Sequence, residues 1–143
     1  DVYKRQAADE VLLPIQCEYY ALEGVTQLMR TIEAVRHAMN KGLRLGSILM
    51  TMFDGRTRLS TQVDEEVRTH FARETMMTRI PRSVRVSEAP SYSRSVLTYE
   101  PTSAGAVAYR EAAAEFARRH AGDDHSTETS VVEHHDASDT KEG

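Results

Sequence analysis

The residues in this chain best suited to chemistry are arginines. In the stretch TRIPRSVRVSEAPSY, residues 78–92, Arg79, Arg82 and Arg85 recur at every third residue, just where an apolar run ends and Pro81 enters. Arg56 and Arg58 form a second group in DGRTR, directly after the apolar run that closes at Phe53. A guanidinium presents a planar fork of donors that matches carboxylate or phosphate oxygens two at a time. Two readings follow. The arginines contact an anionic partner such as a nucleic-acid backbone, or they pair with Asp54, Glu88 or Glu100 as ordinary surface charges.

No other catalytic constellation is present. The seven glycines, at 24, 42, 46, 55, 105, 122 and 143, complete neither a phosphate-binding G-x-x-x-x-G-K-[ST] loop nor a G-x-G-x-x-G turn. There is no H-E-x-x-H, no G-x-S-x-G and no Cys/His set at metal-ligand spacing. His134 and His135 adjoin acids, but in a stretch that reads as a solvated tail. Cys17 stands alone, which excludes an internal disulfide and suits a small buried or half-buried side chain in a cytosolic protein. Catalytic and metal-binding residues are therefore expected to be absent from these residues.

Charge is unevenly divided. The formal net charge is -4, yet residues 121–143 hold seven acids against one lysine, whereas residues 1–120 hold 17 basic and 15 acidic residues. The foldable part is mildly basic, and 15 of the 18 basic residues are arginine. No apolar run approaches the ~18 residues that span a membrane, so no membrane partner is expected.

The elements that must position these arginines follow from hydrophobic spacing. VLLPI, residues 11–15, reads as a buried strand. From Val25, the apolar positions Leu28, Met29, Ile32, Val35 and Met39 define one helix face, stopped by Asn40 and Gly42. LRLGSILMTMF, residues 43–53, is a second strand, nearly continuous in apolar residues, as a parallel strand covered on both faces would be. A helix is expected near residues 60–71, with Leu59, Val63, Val67 and Phe71 at intervals of four. TMMTRI, residues 75–80, is a third strand, and SEAPSY a helical turn capped by Ser87. Pro101 and Thr102 open the last helix, with Ala104, Val107, Ala108, Ala112 and Phe116 facing inward. Strand–helix alternation with short links predicts an α/β fold, a parallel sheet with helices on both faces. Three strands are few for such a sheet, which hints at strands supplied from elsewhere.

Both ends differ from this middle. Residues 121–143 are Ser/Thr/Asp/Glu-rich, with Val131 and Val132 as the sizeable apolar residues, and are read as a disordered acidic tail. Residues 1–6, DVYKRQ, resemble read-through of a transposon-end adapter and are expected to be a non-native scar.

Three blocks carry a family resemblance: AADEVLLPIQCEYYALEGVTQL, ILMTMFDGRTRLSTQV and IPRSVRVSEAPSYSRSVLTYEPTSAGAVAYRE. Together, from about residue 7 to residue 119, they resemble the C-terminal half of the ParA/Soj family of chromosome- and plasmid-partitioning ATPases. The resemblance implies part of a doubly wound, mostly parallel sheet of the deviant Walker-A P-loop NTPase type, residues 7–120 here, with the N-terminal half missing. In that family the phosphate-binding loop and the magnesium-binding acids precede the block that begins at Ala7. ATP and Mg2+ are then cofactors of the complete protein, and this polypeptide alone is expected to be inactive.

The resemblance also implies residue roles. It puts DNA contacts at Arg56 and Arg85, with Arg58, where the family usually carries Asn, adding to the patch or standing as neutral surface change. It puts Thr51, Met52, Pro81 and Arg82 around the adenine. The plainer alternative makes Thr51 and Met52 core residues and Pro81 a strand terminator. Glu18, Tyr19 and Tyr20 fall in a loop near the nucleotide and the dimer partner, or else form a packed tyrosine pair at a helix start. Ser93-Arg94-Ser95 departs from the Gly-Lys-Pro common at that point. The partners implied are a second copy of the chain, non-specific nucleoid DNA and a ParB-type centromere-binding protein, in the bacterial cytoplasm. A MinD-like cell-division regulator on the same fold and an ATP-independent interaction fragment are the rival readings. The acidic end disfavours the first, which requires a basic amphipathic helix.

Overall fold

Short apolar runs become strands here, and the central one, Arg44–Phe53, is covered by helices on both faces. The computed structural model describes residues 8–121. The expectations for residues 1–6 and for the acidic tail lie outside the described residues, except that Ala121 still belongs to the last helix. In chain order the elements are β1 (Glu10–Gln16), α1 (Ala21–Ala38), β2 (Arg44–Phe53), α2 (Arg58–His70) and β3 (Thr75–Pro81). They are followed by α3 (Val84–Glu88), a 3-10 turn (Ala89–Tyr92), α4 (Val96–Tyr99) and α5 (Ala104–Ala121). The sheet runs β1-β2-β3 with both pairings parallel, as the strand–helix alternation predicts. Among the described residues no helix is long and apolar enough to cross a membrane.

Two cores lie on opposite faces of β2. Ile48 and Met50 point to one face and pack with Val25, Ile32 and Val35 of α1 and Val63 and Val67 of α2. Leu49 points to the other and packs with Met76, Ile80, Ala108 and Ala112 under α5. Burying one such Ile, Met or Leu side chain contributes about 1.5–3 kcal/mol, so β2 anchors both layers. A satellite cluster of Ala89, Val96 and Ala106 holds α3, the 3-10 turn and α4 against the start of α5. Gly105 permits that approach, since a Cβ there would collide with Val86.

The edge of β3 is closed by side chains of α5. The Met77 and Thr78 backbone N–H groups donate to the Glu115 carboxylate at 2.6 and 2.8 Å, and the Thr78 hydroxyl donates at 2.7 Å. Arg119 donates to the carbonyls of Arg73, Glu74 and Thr75 and to Glu115. Exposed strand edges recruit other chains, and this pair occupies that edge. Burial pushes the Glu115 carboxyl up, but the hydrogen bonds from Met77, Thr78 and Arg119 outweigh it and hold it below the usual range.

A second clasp crosses the sheet at its other end. The Glu10 side chain lies over Gly46, where any Cβ would overlap it, and reaches His120 at 2.7 Å and Arg44 at 3.2 Å. Gly46 coincides with the bulge at which the β1–β2 register shifts.

Several details differ from the sequence expectations. SEAPSY is not capped by Ser87. The helix starts at Val84, Ser87 sits inside it, and the chain continues directly into the 3-10 turn. Leu59 and Val107 are exposed rather than inward, because their helices bury Ser60, Asp64, Ala106 and Glu115 instead, and Met39 is exposed just past the end of α1. The last helix opens at Ser103, whose hydroxyl accepts the Ala106 N–H, and not at Pro101 or Thr102. Likewise Thr57 caps α2 by accepting the Ser60 N–H. Ser93 takes a left-handed conformation (φ 52°), so the turn forms there without a glycine.

Candidate nucleotide and nucleic-acid face

Parallel strands place their carboxyl ends along one edge, and the loops after them form a common face. Backbone hydrogen bonds carry the ladder past the strand ends: the Cys17 N–H donates to the Thr51 carbonyl (3.0 Å) and the Arg82 N–H to the Phe53 carbonyl (2.9 Å). The loop holding Glu18, the end of β2 at Thr51 and Met52, and Pro81 with Arg82 are thereby brought side by side.

The end of β2 is irregular. Met52 adopts φ 54°, a conformation that costs a non-glycine residue about 1 kcal/mol or more. It falls where the β2–β3 register slips, Met50 facing Arg79 and Phe53 facing Pro81. The bulge turns the strand end and leaves Met52 half-buried. Thr51 is fixed to β1, its hydroxyl donating to the Ile15 carbonyl at 3.0 Å, which leaves the oxygen free to accept. Pro81 is half-buried and Arg82 exposed.

The row of arginines divides. Arg79 turns away from the face: its Nε and Nη2 donate to Asp64 Oδ2 at 2.9 and 2.6 Å, beside Arg68 Nε at 2.9 Å, and its guanidinium lies 5.3 Å from the Phe53 ring centre. Burial pushes the Asp64 carboxyl up, but the hydrogen bonds from Arg79 and Arg68 overcome it and keep the group ionised below its usual range. Cys17 lies near this cluster. Burial, with the Asp64 charge adding to it, pushes its thiol up to about 11, so it stays protonated.

Arg56 and Arg85 remain outside. Arg56 has a side chain 90% exposed, yet its Nε and Nη2 both donate to Asp54, at 3.0 and 2.9 Å, and its own backbone N–H donates to the same carboxylate. Those hydrogen bonds lower the Asp54 pKa to about 2. Arg82 adds its charge to Asp54 as well, which puts the two loops within electrostatic reach. Arg85 Nη1 donates to Glu88 Oε2 at 3.2 Å, and Tyr99, stacked on Tyr92, reaches the same oxygen at 3.5 Å. Arg58, exposed at the first turn of α2, makes no ion pair among the described residues. The pairing alternative is therefore present for both Arg56 and Arg85, and it coexists with their exposure.

Tyr19 and Tyr20 touch edge to face at 5.6 Å but are 79% and 72% exposed, so the pair covers little of the α1 start. With Glu18 and the edge of β1, Tyr20 lines a shallow groove of about 320 Å³. Among the described residues no group of three or more His, Cys, Asp or Glu could hold a metal ion.

Sequence reasoning did not reach Asp64, Glu115 or the conformation of Met52. The first two could have been found as acids on otherwise buried helix faces, one residue after Val63 and one before Phe116. Nothing in the local sequence signals the third.

Residues 4–45 match a family described as "AAA domain". The chain is 50% identical over 113 residues, 79% of its length, to the chromosome-partitioning ATPase Soj of Thermus thermophilus, of which the match covers 45%. It is 50% identical over the same share to the chromosome partitioning protein ParA of Caulobacter vibrioides (42% of that protein). Over 78% of its length it is 47% identical to the sporulation initiation inhibitor protein Soj of Bacillus subtilis (44% of that protein). The chain thus spans less than half the length of these relatives. Among solved structures, cobyrinic acid a,c-diamide synthase from Mycobacterium smegmatis superposes with TM-score 0.56 at 34% identity, over 75% of this chain and 37% of that one. The same enzyme has been solved with bound ADP and magnesium, again with TM-score 0.56.

Proposed function

We propose, on the premise that this chain belongs to the ParA/Soj family of partitioning ATPases, that it forms the C-terminal part of an ATP-switched protein that binds DNA without sequence preference. ATP drives dimerisation, the dimer binds nucleoid DNA in the bacterial cytoplasm, and a ParB-type partner stimulates hydrolysis and release. Chromosome origins or plasmids are the cargo.

One observation carries this reading: the carboxyl ends of β1, β2 and β3 are joined by hydrogen bonds into a single face, with an exposed arginine after β2 and another after β3. On that face Thr51, Met52, Pro81 and Arg82 receive the adenine. Met52 and Pro81 provide apolar contact, and the Thr51 oxygen and nearby main-chain groups meet the base edge. Glu18, Tyr19 and Tyr20 face the ribose or the second subunit. Arg56 and Arg85, with Arg58 beside them, meet phosphate oxygens of DNA, which position a protein without reading bases. Phosphoryl transfer needs backbone N–H groups and a lysine around the phosphates and a held magnesium ion. The segment preceding Ala7 in the complete protein supplies them.

The test has two arms. The coding sequence upstream of Ala7 should encode a Lys-Gly-Gly-x-Gly-Lys-Thr-Thr run, and the protein carrying it should hydrolyse ATP and bind DNA with ATP present. Purified residues 1–143 should do neither. Upstream codons without such a loop, or hydrolysis by residues 1–143 above a protein-free blank, would overturn the reading.

A further inference from the structure

The two arginines assigned to DNA share a feature that Arg58 lacks: each is held by a carboxylate two or three residues away, Arg56 within its loop and Arg85 within α3. Asp54 receives the Nε/Nη2 edge of Arg56 at 3.0 and 2.9 Å, and Glu88 receives Arg85 at 3.2 Å. We propose that Asp54 and Glu88 are positioning residues that hold Arg56 and Arg85 in place and restrain them from DNA, so that a phosphate must displace Asp54 to gain the Arg56 fork and must compete with Glu88 for Arg85 Nη1. This inference rests on the DNA reading given above and adds its regulation.

Three points support it. The Nε/Nη2 edge is the one a phosphate would use bidentately, and Asp54 occupies it with the same geometry. Both carboxylates are themselves oriented. Asp54 accepts the Arg56 backbone N–H at 3.1 Å, and Glu88 lies within 3.5 Å of the Tyr99 hydroxyl. Lastly, the pairs are exposed, with Arg56 at 90% and Arg85 at 54%, and exposed pairs add little to folding. The same exposure makes them easy to exchange for a polyanion. A face restrained in this way binds DNA weakly as a monomer, and strongly only where two subunits present four arginines to one duplex. The restraint thereby sharpens the dependence of DNA binding on dimerisation.

The experiment is a double-mutant cycle in the complete protein, reading non-specific duplex DNA affinity with ATP across a salt series. Asp54→Asn is the variant of choice, because its remaining amide oxygen still accepts the Arg56 N–H and preserves the turn. It should tighten binding by about two- to fivefold at low salt, with the salt slope close to the parent's because the number of phosphate contacts is the same. Glu88→Gln should act in the same direction through Arg85. In an Arg56→Ala background, Asp54→Asn should have no effect. Tightening that persists in that background would show general loss of negative charge and overturn the restraint. If Arg56→Ala weakens binding while Asp54→Asn leaves it unchanged, the DNA reading stands and the restraint fails. If neither single variant changes affinity, both fail. Unfolding midpoints of the variants, expected to match the parent, show that the turn is intact.

Discussion

Arg79 lies three residues before Arg82 and six before Arg85, yet its guanidinium closes on Asp64 and leaves the basic face. A β-strand alternates its faces, and the slipped register of β3 turns Arg79 over Phe53 toward α2. Asp64 is nearly buried, with its side chain 4% exposed, and also receives Arg68. The regular spacing in the sequence therefore joins a structural arginine to two surface ones.

Arg79→Ala should destabilise the fold by about 2 kcal/mol. Removing one partner of a buried pair costs about 3–5 kcal/mol, and the part-exposure of Arg79 reduces that figure. Urea unfolding measures it. Arg85→Ala should leave the unfolding midpoint within about 0.5 kcal/mol of the parent, as exposed pairs do.

Glu115→Gln should cost about 2–3 kcal/mol, because an amide cannot accept all the donors now facing the carboxylate, and bonds to a charged group contribute about 1.5–3 kcal/mol each. Hydrogen exchange at Met77 and Thr78 should accelerate selectively in that variant. Unchanged protection at both amides would show that the carboxylate does not hold the edge.

His120 should give the fold a pH dependence of definite sign. Nδ1 faces the Phe116 carbonyl and Nε2 the Glu10 carboxylate, each at 2.7 Å, an arrangement of two acceptors that favours the protonated ring, in which both nitrogens donate. The hydrogen bond to Phe116 and then that to Glu10 raise its pKa above the ordinary value, while Arg44 opposes them. A raised pKa contributes stability that is fully present below the unfolded value of about 6.5 and is lost as pH rises through the folded value. The gap in melting temperature between the parent and His120→Ala should be widest near pH 6 and narrow at alkaline pH. A gap that widened with pH would contradict the clasp.

The layered α/β arrangement was legible in the sequence for physical reasons. Continuous apolar runs such as residues 48–50 can be satisfied only between two helix layers, and the spacing of Val25, Ile32 and Val35 admits one buried helix face. What stayed hidden depended on partners distant in the chain. Glu115 and Asp64 stand out by spacing as acids on buried helix faces, but the amide and guanidinium donors that satisfy them come from β3. Val107 looks like core until Ala106 and Gly105 prove small enough for the α3 region to close on α5. At the candidate face, the arginines could be named from the sequence, but the exchangeable pairing of Arg56 with Asp54 required coordinates.

The most direct test of the account is the non-specific DNA affinity of the complete protein, with ATP and at low salt, for Arg56→Glu and Arg85→Glu, with Arg79→Lys as the comparison. The account predicts at least about tenfold weaker binding for each glutamate variant, from the loss of phosphate contacts in both subunits, with ATP-dependent dimerisation retained. Arg79→Lys, which leaves the face unaltered, should bind as the parent does. Parental DNA affinity in both glutamate variants, with dimers still forming, would contradict it.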